Sequence, residues 1–223
     1  MTHLVHFDPL LFEAGDRFAR EEFLARWERM PALKFAELID GVVYLPSPVP
    51  IEHARRDHIL QVWTGVYASH SGVVEVLANG TWLMAESAPQ PDVALRLRPE
   101  CGGQSRDMGK YPAGAPEFMA EVCGSTRSYD LGPKLALYER AGVREYLAVL
   151  LEERRLEWRV LGDRGFEMIL AEGAGIWRSP IFPGLWLDEM AFWRGDVPGV
   201  LAVLEQGIHS AEFARFRERQ RAR

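Results

Sequence analysis

A chain of 223 residues with 48% hydrophobic and 26% charged side chains can bury the core of one generous globular domain or two small ones. Its net charge of −6 and pI near 5.6 exclude the global basic field of a non-specific nucleic-acid coat, but not an enzyme that meets a polyanion locally. No run approaches the ~18 apolar residues of a spanning helix. The opening MTHLVHFDPLLFEAG has no basic leader segment, and Cys101 and Cys123 lie too far apart for a CxxC ligand pair. A soluble protein of the reducing cytoplasm, with no membrane partner, is the expectation.

Residues 1–34 are expected to be helical in pieces, with Phe18, Phe23 and Trp27 docking on a body. In KFAELIDGVVYLPSP two short β-prone runs flank Asp40-Gly41, a two-residue hairpin signal. After a proline-rich break, Ile59, Val62, Trp63, Val66 and Tyr67 recur at helical spacing, and Gly72 ends that helix. VVEVLANGTWLMA suggests a second hairpin about Asn79-Gly80. PDVALRL follows as a strand, and a Gly-rich polar loop runs from there to EFMAEVC, another strand. SYDLGPKLALYERAG is expected as a helix with Pro133 in its first turn and Gly142 just past its end. REYLAVLL then returns as a strand, which makes a β-α-β unit. Short antiparallel strands in LEWRVLGDRGFEMIL and GIWRSPIFPGLWLDE come next. One last helix runs from about Pro198 into the basic tail RFRERQRAR. The expected class is α/β with a mixed sheet.

Three acidic positions stand out against this frame. Asp92 opens the strand PDVALRL, where an unpaired ionised carboxylate is costly. Glu121 lies inside FMAEVC, where alternation puts Met119, Glu121 and Cys123 on one face and Phe118, Ala120 and Val122 on the other. Glu37 lies in the first hairpin. Carboxylates on neighbouring strands can share a hard divalent cation such as Mg²⁺, which prefers oxygen ligands. Such a cation polarises a phosphoryl oxygen and activates water, the chemistry of phosphodiester hydrolysis. Lys134 stands at i+3 from Leu131 and i−4 from Tyr138, at the edge of a packed helix face, where it can act on the water or the phosphate.

The segments PDVAL and EFMAEVCGSTRSYDLGPKLALYERAGVREYLAV, with FAELIDGVVYLPSPVPIEH upstream, resemble the Uma-two family of restriction-endonuclease-like proteins within the PD-(D/E)XK nuclease superfamily. The resemblance covers roughly residues 35 to 190. It implies a restriction-endonuclease-like core: a mixed β-sheet flanked by helices, with additional antiparallel strands. Asp92 becomes the motif aspartate, Glu121 the motif acid, Glu37 the early acidic residue, and His53 the histidine after the proline-rich turn. The implied activity is metal-dependent endonuclease cleavage of nucleic acid, expected to be DNA. Mg²⁺ or Mn²⁺ would be held by Asp92, Glu121 and Glu37, and a homodimer is one expected assembly. The expected division is a helical extension over 1–34, a nuclease domain over 35–195, and a C-terminal helix with basic tail over 196–223.

Departures are visible too. The superfamily places lysine two residues after the motif acid, where this chain has Cys123; the family's lysine is thought to have moved to the following helix, at Lys134. CGST replaces the family's usual LSPS, and the aspartate that usually ends the next strand is absent from YLAVLL. Each candidate also has a structural explanation: a solvated strand end for Asp92, an ion pair with a buried arginine for Glu121, a snorkelling helix lysine for Lys134, a cap-region residue for His53. A non-catalytic binding or assembly module is therefore one rival. Glycoside hydrolysis by a carboxyl pair, which has no need of Lys134, is another. Arg55, Arg56, Arg96, Arg98, Arg106 and Lys110 are candidate phosphate contacts.

Overall fold

The structure is a computed structural model and describes residues 12–45 and 47–222. Its strands are β1 (Glu37–Ile39), β2 (Val42–Tyr44), β3 (Val74–Ala78), β4 (Val93–Leu97), β5 (Arg106–Met108), β6 (Tyr111–Ala113), β7 (Phe118–Cys123), β8 (Glu145–Leu150), β9 (Arg155–Gly162), β10 (Gly165–Met168), β11 (Ile176–Arg178) and β12 (Trp186–Asp188). Its helices are α1 (Arg20–Trp27), α2 (Ile51–Ser71), the single turn α3 (Arg127–Tyr129), α4 (Leu135–Ala141), α5 (Glu189–Arg194), α6 (Val197–Ile208) and α7 (Ala211–Arg221).

Six strands form one sheet in the order β10-β9-β8-β7-β4-β3. Only β7 and β8 run parallel, with Glu121 opposite Ala148; the other pairs are antiparallel. The parallel pair is joined through α3 and α4, which is the β-α-β unit expected from the order strand, helix, strand. β7, β8 and β4 are buried along their whole length, as central strands covered on both faces must be.

Alternation along β7 divides the core. Phe118, Ala120 and Val122 face a large cluster with Leu60, Trp63 and Tyr67 of α2 and Val200, Leu204, Phe213 and Phe216 of α6 and α7. Met119 and Cys123 face a second cluster with Leu137, Tyr138 and Tyr146. Glu121 belongs to this second face and has no apolar reason to be there. A third cluster packs Phe12 and Phe23 against Leu38, Val43 and Ala88 beneath the β1–β2 hairpin. That hairpin turns at Asp40 (φ 49°) and Gly41 (φ 76°), the two left-handed residues of a tight two-residue loop.

Four local expectations are corrected. β3 does not pair with residues 81–85; it pairs with β4, while Trp82 N–H donates to the Pro89 carbonyl and Leu83 N–H to the Pro112 carbonyl. Asn79 does turn the chain (φ 52°), but alternation says nothing about which segment takes the edge it vacates. The polar loop before β7 contains the small β5–β6 hairpin. The helix expected over SYDLGPKLALYERAG is instead α3, a wide π turn over Asp130–Lys134, and α4. Pro133 lies inside that turn, where its ring and missing N–H oppose a regular α ladder. The single last helix is α6 and α7, broken at His209–Ser210, where the Ser210 hydroxyl caps Phe213 N–H.

Candidate active site

Five elements deliver side chains to one cavity of about 510 Å³. The β1 hairpin supplies Glu37, the N-terminal turn of α2 supplies His53 and Asp57, the mouth of β4 supplies Asp92, β7 supplies Glu121, and the π turn supplies Asp130 and Lys134. The wide turn keeps Asp130 and Lys134 together at an i,i+4 spacing.

Lys134 is the hub. Its ammonium lies 2.6 Å from Oε1 of Glu121, 3.0 Å from Oε1 of Glu37 and 4.0 Å from Oδ1 of Asp130. At 2% exposure it is more buried than its apolar neighbours Leu131 and Leu135, which are half-buried, so it is not at the edge of the packed face. Burial works against the ammonium's charge, but Glu121 and Glu37 outweigh it and hold the lysine above its ordinary range. Burial likewise raises the Glu121 carboxyl's hold on a proton, with Lys134 opposing. The Tyr138 hydroxyl donates to the same Oε1 of Glu121 at 2.7 Å. Gln90 N–H donates to Oε1 of Glu37 at 2.6 Å. The partner that sequence reasoning weighed for Glu121, a buried arginine, is therefore a lysine from the crossover.

Asp92 is held differently. Its Oδ2 accepts from Val122 N–H at 2.7 Å, tying β4 to β7 beside Glu121, and its Oδ1 faces His53 Nε2 at 3.5 Å. That hydrogen bond raises the affinity of His53 for a proton above the ordinary histidine range, against an opposing effect of burial. With a side chain 15% exposed, Asp92 is neither a solvated strand end nor sealed in the core. The structure thus brings Glu37, Glu121 and Lys134 into direct contact and puts Asp92 and His53 together beside them.

The model of the family described as "Uma2: Putative restriction endonuclease" matches residues 20–190. The chain belongs to the Uma2 family. Its fold is also that of a crystal structure from Anabaena variabilis ATCC 29413, described as a putative nuclease belonging to DUF820. The two share 14% identity at a TM-score of 0.63, over 80% of this chain and 98% of that one. No curated protein matches the chain.

Sequence reasoning missed several residues of this candidate site. Asp130 is buried, accepts from the Thr126 hydroxyl at 2.6 Å, and is pushed by burial up to about 6. The D-x-x-x-K spacing to Lys134, which places two side chains on one side of a helix, was the available signal. Tyr129, whose hydroxyl lies 3.4 Å from Oε2 of Glu37, and Asp57, which accepts from Gln61, carried none. Cys123 is a buried hydrophobe, as expected of a thiol whose pKa burial drives up.

The phosphate-contact candidates fare worse. Arg56 is buried against the rings of Phe192 and Trp193 and paired with Glu52. Arg96 is buried between Glu75 and Asp107, at 2.6 and 2.8 Å. Arg55 and Lys110 pair with Glu52 and Glu28 on the surface. Arg98 and Arg106 are exposed. Among the described residues, no helix is long and apolar enough to cross a membrane.

Proposed function

We propose that this Uma2 protein is a divalent-cation-dependent nuclease that hydrolyses phosphodiester bonds of DNA. The observation that carries the reading is the buried Lys134 ammonium held jointly by Glu37 and Glu121, with Asp92 anchored on the adjacent strand end in the same cavity. A glutamate inside an apolar strand that meets a lysine across the β-α-β crossover is an expensive arrangement for a merely structural purpose. It also ties the lysine to the acids, which a glycoside-hydrolysing carboxyl pair does not need.

The donor set, carboxylates of Asp92, Glu121 and Glu37 around one cavity, fits a hard cation such as Mg²⁺ or Mn²⁺ in chemistry and charge. Bound there, that ion would polarise the phosphoryl group and lower the pKa of a coordinated water. On this reading Asp92 and Glu121 are the principal ligands and Glu37 assists. Lys134 offsets charge on the phosphate or orients the attacking water. Asp92 holds His53 toward the cavity as the group that can accept or deliver a proton. Residues 35–195 carry this unit, flanked by the extensions 1–34 and 196–223, and it works in the cytoplasm, where Cys101 and Cys123 stay reduced. Among the described residues that line the cavity Lys134 is the one lysine or arginine, so a second copy of the chain is the natural source of further phosphate contacts.

The test is Mg²⁺ and Mn²⁺ calorimetry on wild type, Asp92→Ala and Glu121→Ala, followed by plasmid and single-strand cleavage assays. Wild-type binding that both substitutions abolish, with cleavage lost in parallel, is the expected result. A wild type that binds neither ion moves the protein to a non-catalytic binding module. That rival draws on one observation: among the described residues, no three histidine, cysteine or carboxylate groups already converge on one point.

A further inference from the structure

The point at which Glu37 and Glu121 do converge is taken by the Lys134 ammonium. We propose that Lys134 is a resident counter-ion that gives up Glu37 and Glu121 when a divalent cation binds, and that Asp130 is the positioning residue that receives it. The inference rests on the cation-dependent reading above.

An ammonium with 2% exposure is costly to leave unpaired, so moving from one carboxylate favours reaching another. Asp130 is placed for that transfer. It opens the π turn that Lys134 closes, it is itself buried, and its Oδ1 already lies 4.0 Å from the ammonium. Its other oxygen is fixed by the Thr126 hydroxyl at 2.6 Å, which leaves Oδ1 turned to the lysine. Closing the gap to a charge-assisted hydrogen bond takes a shift on the order of 1 Å, within reach of a flexible four-carbon side chain.

The Tyr129 ring lies 5.6 Å from the ammonium and offers it an aromatic face during the move. Tyr138 keeps its own hydrogen bond to Oε1 of Glu121, so that carboxylate stays oriented after the lysine leaves. Two cations between the same pair of oxygens would repel each other. Lys134 and a bound ion therefore compete for Glu37 and Glu121, and Asp130 sets how easily Lys134 yields.

The experiment is Mn²⁺ calorimetry on the full chain as wild type, Lys134→Met, Asp130→Asn and the double variant, with near-UV circular dichroism as the fold control. Lys134→Met should bind Mn²⁺ at least about tenfold tighter, because the competitor is gone, and Asp130→Asn about tenfold weaker. In the Lys134→Met background, Asp130→Asn should change nothing. An equal loss in both backgrounds makes Asp130 a ligand or a fold element and overturns the proposal, as does an affinity that neither substitution changes. No Mn²⁺ binding by wild type overturns the metal reading as well, so the two failures are separable.

Should Lys134→Met not fold, a Mn²⁺-soaked crystal of wild type decides. A lysine ammonium moved onto Asp130 upholds the proposal, and one still on Glu121 with Mn²⁺ bound refutes it.

Discussion

Glu145 allows a sharp test away from the Lys134 cavity. It opens β8 fully buried. Its oxygens accept from the Ser179 hydroxyl and from Ile181 N–H at 2.8 Å, and from Trp158 Nε1 at 3.3 Å. Burial nevertheless wins over these donors and raises the carboxyl from 4.5 to about 7. Because the folded value lies above the unfolded one, the native state holds the extra proton between roughly pH 4.5 and pH 7. Stability from this group is therefore full below that window and lost as pH rises through it. At 1.36 kcal/mol per pKa unit the loss is about 3 kcal/mol. Glu145→Gln keeps the shape and cannot ionise, and the Ser179 hydroxyl can turn to accept from the new amide. Urea unfolding of both proteins from pH 4 to pH 8 should show the variant gaining on wild type by about 3 kcal/mol across the window. Other buried acids, Asp130 among them, titrate in both proteins and cancel in the difference. Parallel profiles, or a difference that shrinks as pH rises, would refute the argument that burial dominates at Glu145.

Two further outcomes probe the packing. A Cβ at Gly207 of α6 would lie 2.2 Å from the Gly184 carbonyl oxygen, a backbone clash that no rotamer relieves. Gly207→Ala should cost about 3 kcal/mol and lower the melting temperature by about 6–12 °C, whereas Gly65→Ala, with open space around it, should leave it level or raise it. Tyr138→Phe removes the hydroxyl that donates to Glu121 and should cost about 2 kcal/mol by chemical denaturation; an unchanged midpoint would mean that this bond adds nothing to stability.

What could be read from the chain was local or periodic. Asp40-Gly41 demands a tight turn wherever it stands, and the alternation of FMAEVC put Glu121 on the face it occupies. The order strand, helix, strand implied the parallel pairing of β7 with β8. What could not be read depended on distant partners. Nothing near Val74–Ala78 announces that its neighbour is β4 rather than the segment just after Gly80. The burial of Lys134 was invisible for the same reason: the carboxylates that draw it inward come from β1 and β7, and a helix's own stripe cannot show them. Arg96 looked like a free cation because its acid Glu75 comes from a cross-strand neighbour; for Arg56 the i,i+4 partner Glu52 was legible, but the Phe192 and Trp193 rings that bury it were not.

The charge balance of the cavity follows from the same partners and bears on how the site would work. Glu37, Asp57, Asp92, Glu121 and Asp130 line it, against the ammonium of Lys134 and the imidazoles of His53 and His58. A phosphate approaching that wall meets repulsion at short range, and the arginines that could have offset it are already committed to Glu52, Glu75 and Asp107. While Glu37 and Glu121 hold its ammonium, the buried Lys134 relieves repulsion within the protein; it can act on a phosphate or water only once they release it. On the proposed function, a divalent ion is what reverses the sign of the surface a phosphodiester would see. Substrate binding, ion binding and the position of Lys134 then form one linked equilibrium, and a free energy spent at any one of the three must appear at the others.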